Sequence, residues 1–159
     1  MDLMNVLSQA LKLESDGREF YLHMAEIVED EDGKQMFQHL ADDESHHYKY
    51  IERQYEALRE GRGWAPISEM GAPEELDAVS LVFPPKTAVA QVLPKNPTEE
   101  DALVFALGVE DKSFQLYYNS AQIAKDPDAR MLFSQLATAE HTHFNILMQR
   151  YESRFPYPR

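Results

Sequence analysis

Two short stretches near opposite ends of the chain pair a carboxylate with an imidazole at the same spacing. In ADDESHHYKY, Glu44 and His47 lie three residues apart, and in ATAEHTHF, Glu140 and His143 repeat that spacing. Residues three apart on an α-helix are neighbours on one face, so each pair would present its two side chains together. Carboxylate oxygen and imidazole nitrogen are both ligands of divalent metal ions. Each stretch can therefore offer two metal ligands from one helix face.

Both pairs interrupt stripes of apolar residues that are typical of helix faces directed into a core. Steps of three and four residues separate the apolar positions and predict four amphipathic helices. These cover residues 3–29, 32–60, 99–125 and 127–153. The stripes of the first and third helices contain Glu14 and Glu110. Every predicted helix thus carries a glutamate at a position that its periodicity assigns to the interior.

Only short turns, around 29–33 and 125–127, separate the first helix from the second and the third from the fourth. Each pair is therefore expected to form an antiparallel hairpin. The predicted fold is an all-α four-helix bundle in a single domain. Its parts are hairpin one at 3–60, a long crossover at 61–98, hairpin two at 99–153 and a short tail at 154–159.

The predicted crossover holds six of the nine prolines, which argues against a long regular element there. It must run the length of the bundle, roughly 40 Å for helices of this size, and an extended chain covers that distance easily. Its apolar residues Leu81, Val82 and Phe83 are expected to pack against the helices. Five methionines are expected to fill gaps in the core. They are Met4, Met24, Met36, Met131 and Met148.

The sequences of the two predicted hairpins indicate an internal duplication. Residues 4–56 and 100–152 align without a gap, and sixteen of the 53 pairs are identical. In an antiparallel hairpin, two residues lie at one level when the turn is midway between them. The midpoint between Glu14 and the first Glu–His pair falls near Asp30, and the equivalent midpoint in hairpin two falls near Asp126. Both are turn residues, so four carboxylates and two imidazoles should converge near the middle of the bundle.

A buried cluster of this kind needs compensating positive charge. Burying one unpaired carboxylate is costly, and four together also repel one another. Two divalent cations would balance the four charges, and the oxygen-rich set favours iron or manganese while zinc would also bind. The predicted metal ligands are Glu14, Glu44, His47, Glu110, Glu140 and His143. The alternative is a bundle that kept these residues and lost the metals.

Tyr21 and Tyr117 each follow an interior glutamate by seven residues, two turns along the same face. Either they pack in the core, or they act in catalysis as donors to a ligating carboxylate or as redox-active phenols near the metals. Asp43 precedes Glu44 and could orient a histidine, although its counterpart in the repeat is Ala139. His46 and His141 lie about 100° away from the ligand face on an ideal helix and are expected at the surface.

Composition limits the other functions. A formal charge of −13 argues against nucleic acid or an anionic membrane as a partner. The absence of cysteine excludes disulfides, thiolate metal sites and cysteine nucleophiles. The N-terminal sequence reaches charged residues too early for a signal peptide, and no apolar run approaches the length of a membrane span. A cytoplasmic location is therefore expected.

With these motifs assembled, the chain resembles rubrerythrin-type members of the ferritin-like di-iron superfamily across both hairpins. The resemblance implies that the four glutamates bind metal, with Glu44 and Glu140 bridging, and that His47 and His143 are terminal ligands. Three departures are visible. Without cysteine there can be no rubredoxin-like iron site to deliver electrons, and Ser113 stands where the family carries an additional glutamate. The fourth helix carries His143 where classical members have another carboxylate, so the site resembles bacterioferritin-like centres more closely.

The leading functional hypothesis is a di-iron oxidoreductase that oxidises Fe(II) with O2 or H2O2, of ferroxidase or peroxidase type, in oxidative stress or iron homeostasis. Electrons would come from an external donor or from fresh Fe(II). The alternatives are a non-catalytic iron-binding or storage protein, metals that serve as a structural staple, and an oxygenase with an organic substrate. A small oligomer, in particular a homodimer, is expected.

Overall fold

A computed structural model describes residues 2–66 and 98–156, and these consist of four α-helices without a strand. The helices are α1 (Leu3–Ile27), α2 (Glu31–Arg59), α3 (Glu99–Ile123) and α4 (Pro127–Arg154). Each end lies within two residues of the end predicted from the apolar periodicity. None of the helices in these two ranges is long and apolar enough to cross a membrane.

The helix ends follow from local sequence. The Asp30 side chain accepts a hydrogen bond from the backbone N–H of Gly33 at 3.0 Å and caps α2. Asp126 caps α4 in the same way, immediately before Pro127. α3 begins with a capping box in which Thr98 and Asp101 each accept a hydrogen bond from the other's backbone N–H. Such caps satisfy N–H groups that have no partner inside the helix.

α1 packs along α2 and α3 packs along α4, which confirms a four-helix bundle made of two hairpins. Contacts between α1 and α3 join the hairpins. The apolar core forms two clusters, and each cluster draws residues from both hairpins. One contains Phe37 beside Leu103, and the other contains Leu7 beside Phe133. Burial of these side chains, worth about 25 cal/mol per Å² of apolar surface, is what holds the hairpins together.

Salt bridges between charged side chains connect the two hairpins at one end of the bundle. The Arg150 guanidinium near the end of α4 donates to both carboxylate oxygens of Asp30, at 2.7 and 3.1 Å. Its Nε donates to Glu99 at the start of α3 at 2.5 Å. Arg150 therefore connects the turn of hairpin one to both helices of hairpin two.

Some predictions fall outside the described residues. Most of the predicted crossover, including Leu81, Val82 and Phe83, and the last residues of the predicted tail belong to this group. The core prediction holds for Met24, which is fully buried, and is wrong for Met131, which is 52% exposed on α4. The apolar stripe of α4 does not extend to that position.

Candidate metal centre

The six predicted ligand residues converge between the two apolar clusters. All four glutamates and His143 are buried, with at most 4% of their surface exposed, and the His47 side chain is 12% exposed. They come from all four helices, at the levels that the turn midpoints predicted. The structure therefore brings together every residue of the predicted ligand set. Their role as metal ligands stays a prediction.

The carboxylate and imidazole atoms fall into two overlapping groups of four residues. Glu14, Glu44, His47 and Glu140 form one group, and Glu44, Glu110, Glu140 and His143 form the other. Within each group, one possible ligand atom from every residue lies within 4.8 Å of the others. Glu44 and Glu140 belong to both groups. This sharing is the geometry expected of two adjacent metal positions with two bridging carboxylates.

In both groups the imidazole turns its Nδ1 atom toward the carboxylates. His47 Nδ1 lies 3.4 Å from Glu14 Oε2 and 3.3 Å from Glu140 Oε1. His143 Nδ1 lies 3.1 Å from Glu44 Oε1 and 3.4 Å from Glu110 Oε1. The two rings stack with their centroids 5.8 Å apart. Each half of the cluster thus offers one imidazole nitrogen beside its carboxylate oxygens.

The two tyrosines reach across the bundle to the opposite hairpin. Tyr21 of α1 donates a hydrogen bond to Glu110 Oε1 on α3. Tyr117 of α3 donates to Glu14 Oε1 on α1 at 2.6 Å. Burial, followed by the charge of the carboxylate that each contacts, raises the pKa of both phenols. Both therefore stay protonated and act as donors.

Because of these hydrogen bonds, the two carboxylate oxygens of Glu14 and of Glu110 differ in their partners. Oε1 of Glu110 and of Glu14 accepts from a tyrosine, whereas Oε2 of each is buried without a hydrogen-bond partner in the described part of the chain. Both oxygens of Glu140 and Nδ1 of His47 are also buried and lack hydrogen-bond geometry to any described residue. A buried polar atom without a partner costs about 1–3 kcal/mol.

Burial and charge displace the pKa values in this cluster. Burial, then the charges of Glu14 and Glu140, raise the pKa of Glu44 well above its ordinary value. Burial and the Glu140 charge raise the pKa of Glu110 to about 8. Burial lowers the pKa of His47, but the charges and contacts of Glu14 and Glu140 together outweigh it and raise that pKa to about 10. Burial also opposes ionisation of Glu14, yet His47 lowers its pKa to about 2. Protons thus neutralise part of the carboxylate charge when no cation does.

The residues present fit a pair of divalent cations. The unpartnered atoms are carboxylate oxygens and an imidazole nitrogen, the donor types that iron, manganese and zinc accept. Cations would give these atoms partners and would replace the bound protons as the balancing charge.

Asp43 contacts a histidine, as its position next to Glu44 had suggested. Its Oδ2 lies 2.9 Å from Nε2 of His143, on the side of the ring away from the other carboxylates. His39 also approaches the same oxygen, at 3.5 Å. The position of Asp43 directly before Glu44 on α2 suggested this role, but the sequence did not indicate which histidine it contacts. Its repeat counterpart is Ala139, which has no carboxylate, and this difference argued against a role for Asp43 in the sequence.

Fold and site together define a ferritin-like class of protein: a four-helix bundle of two hairpins with a buried carboxylate–histidine cluster that could bind metal. The family model for Rubrerythrin matches residues 5–151, and the chain therefore belongs to the Rubrerythrin family. A search of curated proteins found no match.

A solved structure of a hypothetical protein from Pyrococcus furiosus is similar in fold. The TM-score is 0.68 at 22% sequence identity, and the match covers 96% of this chain and 89% of that one. At this level of identity the similarity shows the fold alone.

Proposed function

We propose that the protein is a di-iron oxidoreductase that uses O2 or H2O2 to oxidise Fe(II), in a ferroxidase-like or peroxidase-like reaction. The observation that carries the proposal is the pair of overlapping four-residue groups that share Glu44 and Glu140. Membership of the Rubrerythrin family supports iron as the metal. Bound Fe(II) would supply the electrons. Reduction of H2O2 with two protons to two water molecules takes two electrons, and two Fe(II) ions would give one each.

The protein's own contribution is position and environment. Glu44 and Glu140 can each reach both metal positions, so they would hold the two ions close enough to act on one oxidant molecule. Tyr21 and Tyr117 fix the carboxylates of Glu110 and Glu14 and leave one oxygen of each free to bind. The surrounding helices bury the carboxylates and exclude bulk water, which strengthens every charge interaction at the site.

The test is oxidation of Fe(II) by the loaded protein. Protein loaded anaerobically with Fe(II) is mixed with H2O2 or O2, and Fe(III) formation is followed by its near-ultraviolet absorbance. We expect faster oxidation than for the same Fe(II) in buffer, and a loss of the acceleration in Glu140→Ala. Glu152→Ala is the matched control, because Glu152 is an exposed carboxylate on the same helix. Equal rates with and without the protein would contradict the proposal.

A structural role for the metals is the second candidate, favoured by the origin of the ligands on all four helices. In that case metal removal would lower the melting temperature while the loaded protein would not accelerate oxidation. The identity of the oxidant, the electron donor, the homodimer and the cytoplasmic location stay predictions.

A further inference from the structure

The repeat allows the two metal positions to be compared atom by atom. We call the Glu14 and His47 side the first half, and the Glu110 and His143 side the second half. Ligands, bridging carboxylates and tyrosine contacts correspond in the two halves. The outer sides of the two imidazoles do not correspond.

In the second half, Nε2 of His143 has a carboxylate partner, Asp43 Oδ2, at 2.9 Å. The repeat places Ala139 at the corresponding position for the first half. Ala139 has only a methyl group, and no described residue is a hydrogen-bond partner of Nε2 of His47. Among the described residues, the first half therefore has a candidate ligand set without a carboxylate that orients its imidazole.

Burial differs in the same direction. The side chain of His143 is 2% exposed, whereas that of His47 is 12% exposed. A ring that is enclosed and held at Nε2 loses little freedom when Nδ1 binds a metal. A ring that contacts solvent and has no described partner at Nε2 must be ordered by the metal itself.

We propose that the two metal positions are unequal: the second half binds its divalent cation first and releases it last, and Asp43 is the positioning residue that causes the difference. The inference rests on the dinuclear centre proposed above. Donation from Nε2–H to Asp43 selects the tautomer whose Nδ1 lone pair is available to a metal. Carboxylate partners of this kind typically change metal affinity about 10–100-fold.

Calorimetric titration with Co(II) tests the order without any oxidation chemistry. Wild-type protein should bind Co(II) in two steps whose affinities differ at least about 10-fold. Asp43→Ala should weaken the tighter step by about 10–100-fold, so that the steps approach each other. Asp43→Asn, which keeps an acceptor oxygen without the charge, should give an intermediate affinity. Asp42→Ala is the matched control, because the neighbouring Asp42 is exposed and its removal changes the net charge equally.

The reverse substitution supplies the missing group. Ala139→Asp should tighten the weaker step by about 10-fold and bring the two affinities together from the other side. Ala139 is partly exposed on α4, so the helix can accommodate the new carboxylate. Asp43 is itself 32% exposed, so its variants are expected to fold, which circular dichroism would verify.

A spectroscopic readout separates positioning from a general effect on stability. In the Co(II) protein, the His143 Nε2–H should give a paramagnetically shifted NMR signal that exchanges slowly with solvent. That signal should disappear in Asp43→Ala, and a second slow signal should appear in Ala139→Asp. Two equal binding steps that no Asp43 variant changes would overturn the inference while leaving the dinuclear centre intact. Absence of Co(II) binding altogether would overturn the centre and the inference with it.

Discussion

The two hairpins agree closely around the ligands and differ on their outer sides. In hairpin one, Arg18 of α1 donates a hydrogen bond to Ser45 of α2 at 2.9 Å. The equivalent positions of hairpin two are Phe114 and His141, whose rings lie 5.7 Å apart. These two line an open cavity of about 220 Å³ together with Asp111, Phe144 and the candidate ligand Glu110. Away from the buried cluster, equivalent backbone positions of the two hairpins therefore carry side chains of different type.

The difference indicates which part of the repeat is constrained. Both tyrosines, all four glutamates and both histidines of the buried cluster are identical between the halves, whereas most other pairs differ. Replacing one of these eight residues would leave a buried charge or donor without its partner. Residues on the outer faces only need to cover the helix below them.

The largest expected effect distinguishes a carboxylate that belongs to both four-residue groups from one that belongs to a single group. Glu140→Ala removes a residue common to both halves, so we expect neither position to retain metal. Glu14→Ala removes a residue of the first half alone, and the second half should still bind one ion. Elemental analysis after loading and buffer exchange gives the metal-to-protein ratio for each variant. Equal ratios in the two variants would contradict the bridging assignment of Glu140.

The tyrosines test how far the two halves are equivalent. Tyr21→Phe and Tyr117→Phe keep the ring and remove only the hydroxyl, leaving a buried carboxylate oxygen without its donor. We expect each to lower the free energy of unfolding of the metal-free protein by about 1–3 kcal/mol, by similar amounts. Urea unfolding measures this. A loss confined to one variant would show that the halves differ in the contacts around the glutamates as well as at the histidines.

A smaller effect is expected at the end of the bundle. Arg150 corresponds in the repeat to Gln54, which exchanges two hydrogen bonds with the backbone of Ala65. Arg150→Gln makes the two positions alike and removes the ion pairs to Asp30 and Glu99. Partly exposed ion pairs contribute modestly, so the melting temperature should fall by roughly 2–4 °C. An unchanged melting temperature would show that these ion pairs do not stabilise the docking of the hairpins.

The smallest expected effect is the pH dependence of the stability difference between wild type and Arg150→Gln. The hydrogen bonds from Arg150 lower the pKa of Asp30 from 3.8 to about 2. The stability gained from the ionised carboxylate is fully present above pH 3.8 and is lost as the pH falls toward about 2. The gap in urea midpoint between wild type and Arg150→Gln should therefore narrow over this range. A gap that stays constant there would assign the effect of Arg150 to packing or to Glu99.

Periodicity and turn position were sufficient to predict the helices and the convergence of the six candidate ligand residues. The α-helix has a fixed rise and a fixed number of residues per turn, so a turn midway between two residues places them at one level. Glu44 and Glu140, which the family resemblance implies as bridging carboxylates, belong to both groups, and their role as metal ligands stays a prediction.

The partners of individual side chains could not be predicted in the same way. Spacing placed Tyr21 on the face of Glu14, its neighbour on α1, but its hydroxyl reaches Glu110 on the other hairpin. Which partner it reaches depends on how the hairpins dock, and a one-dimensional pattern does not contain that distance. The same holds for Asp43, whose partner lies on α4.

The crossed tyrosine bonds have a consequence for assembly. Each glutamate at the edge of the cluster is held by a residue from the opposite hairpin, and each group of possible ligands also spans both hairpins. A newly synthesised hairpin one would carry only part of either ligand group. Neither group would then be complete until α4 has been made and has docked, so a half-finished chain would offer a bound metal fewer carboxylates than the folded protein.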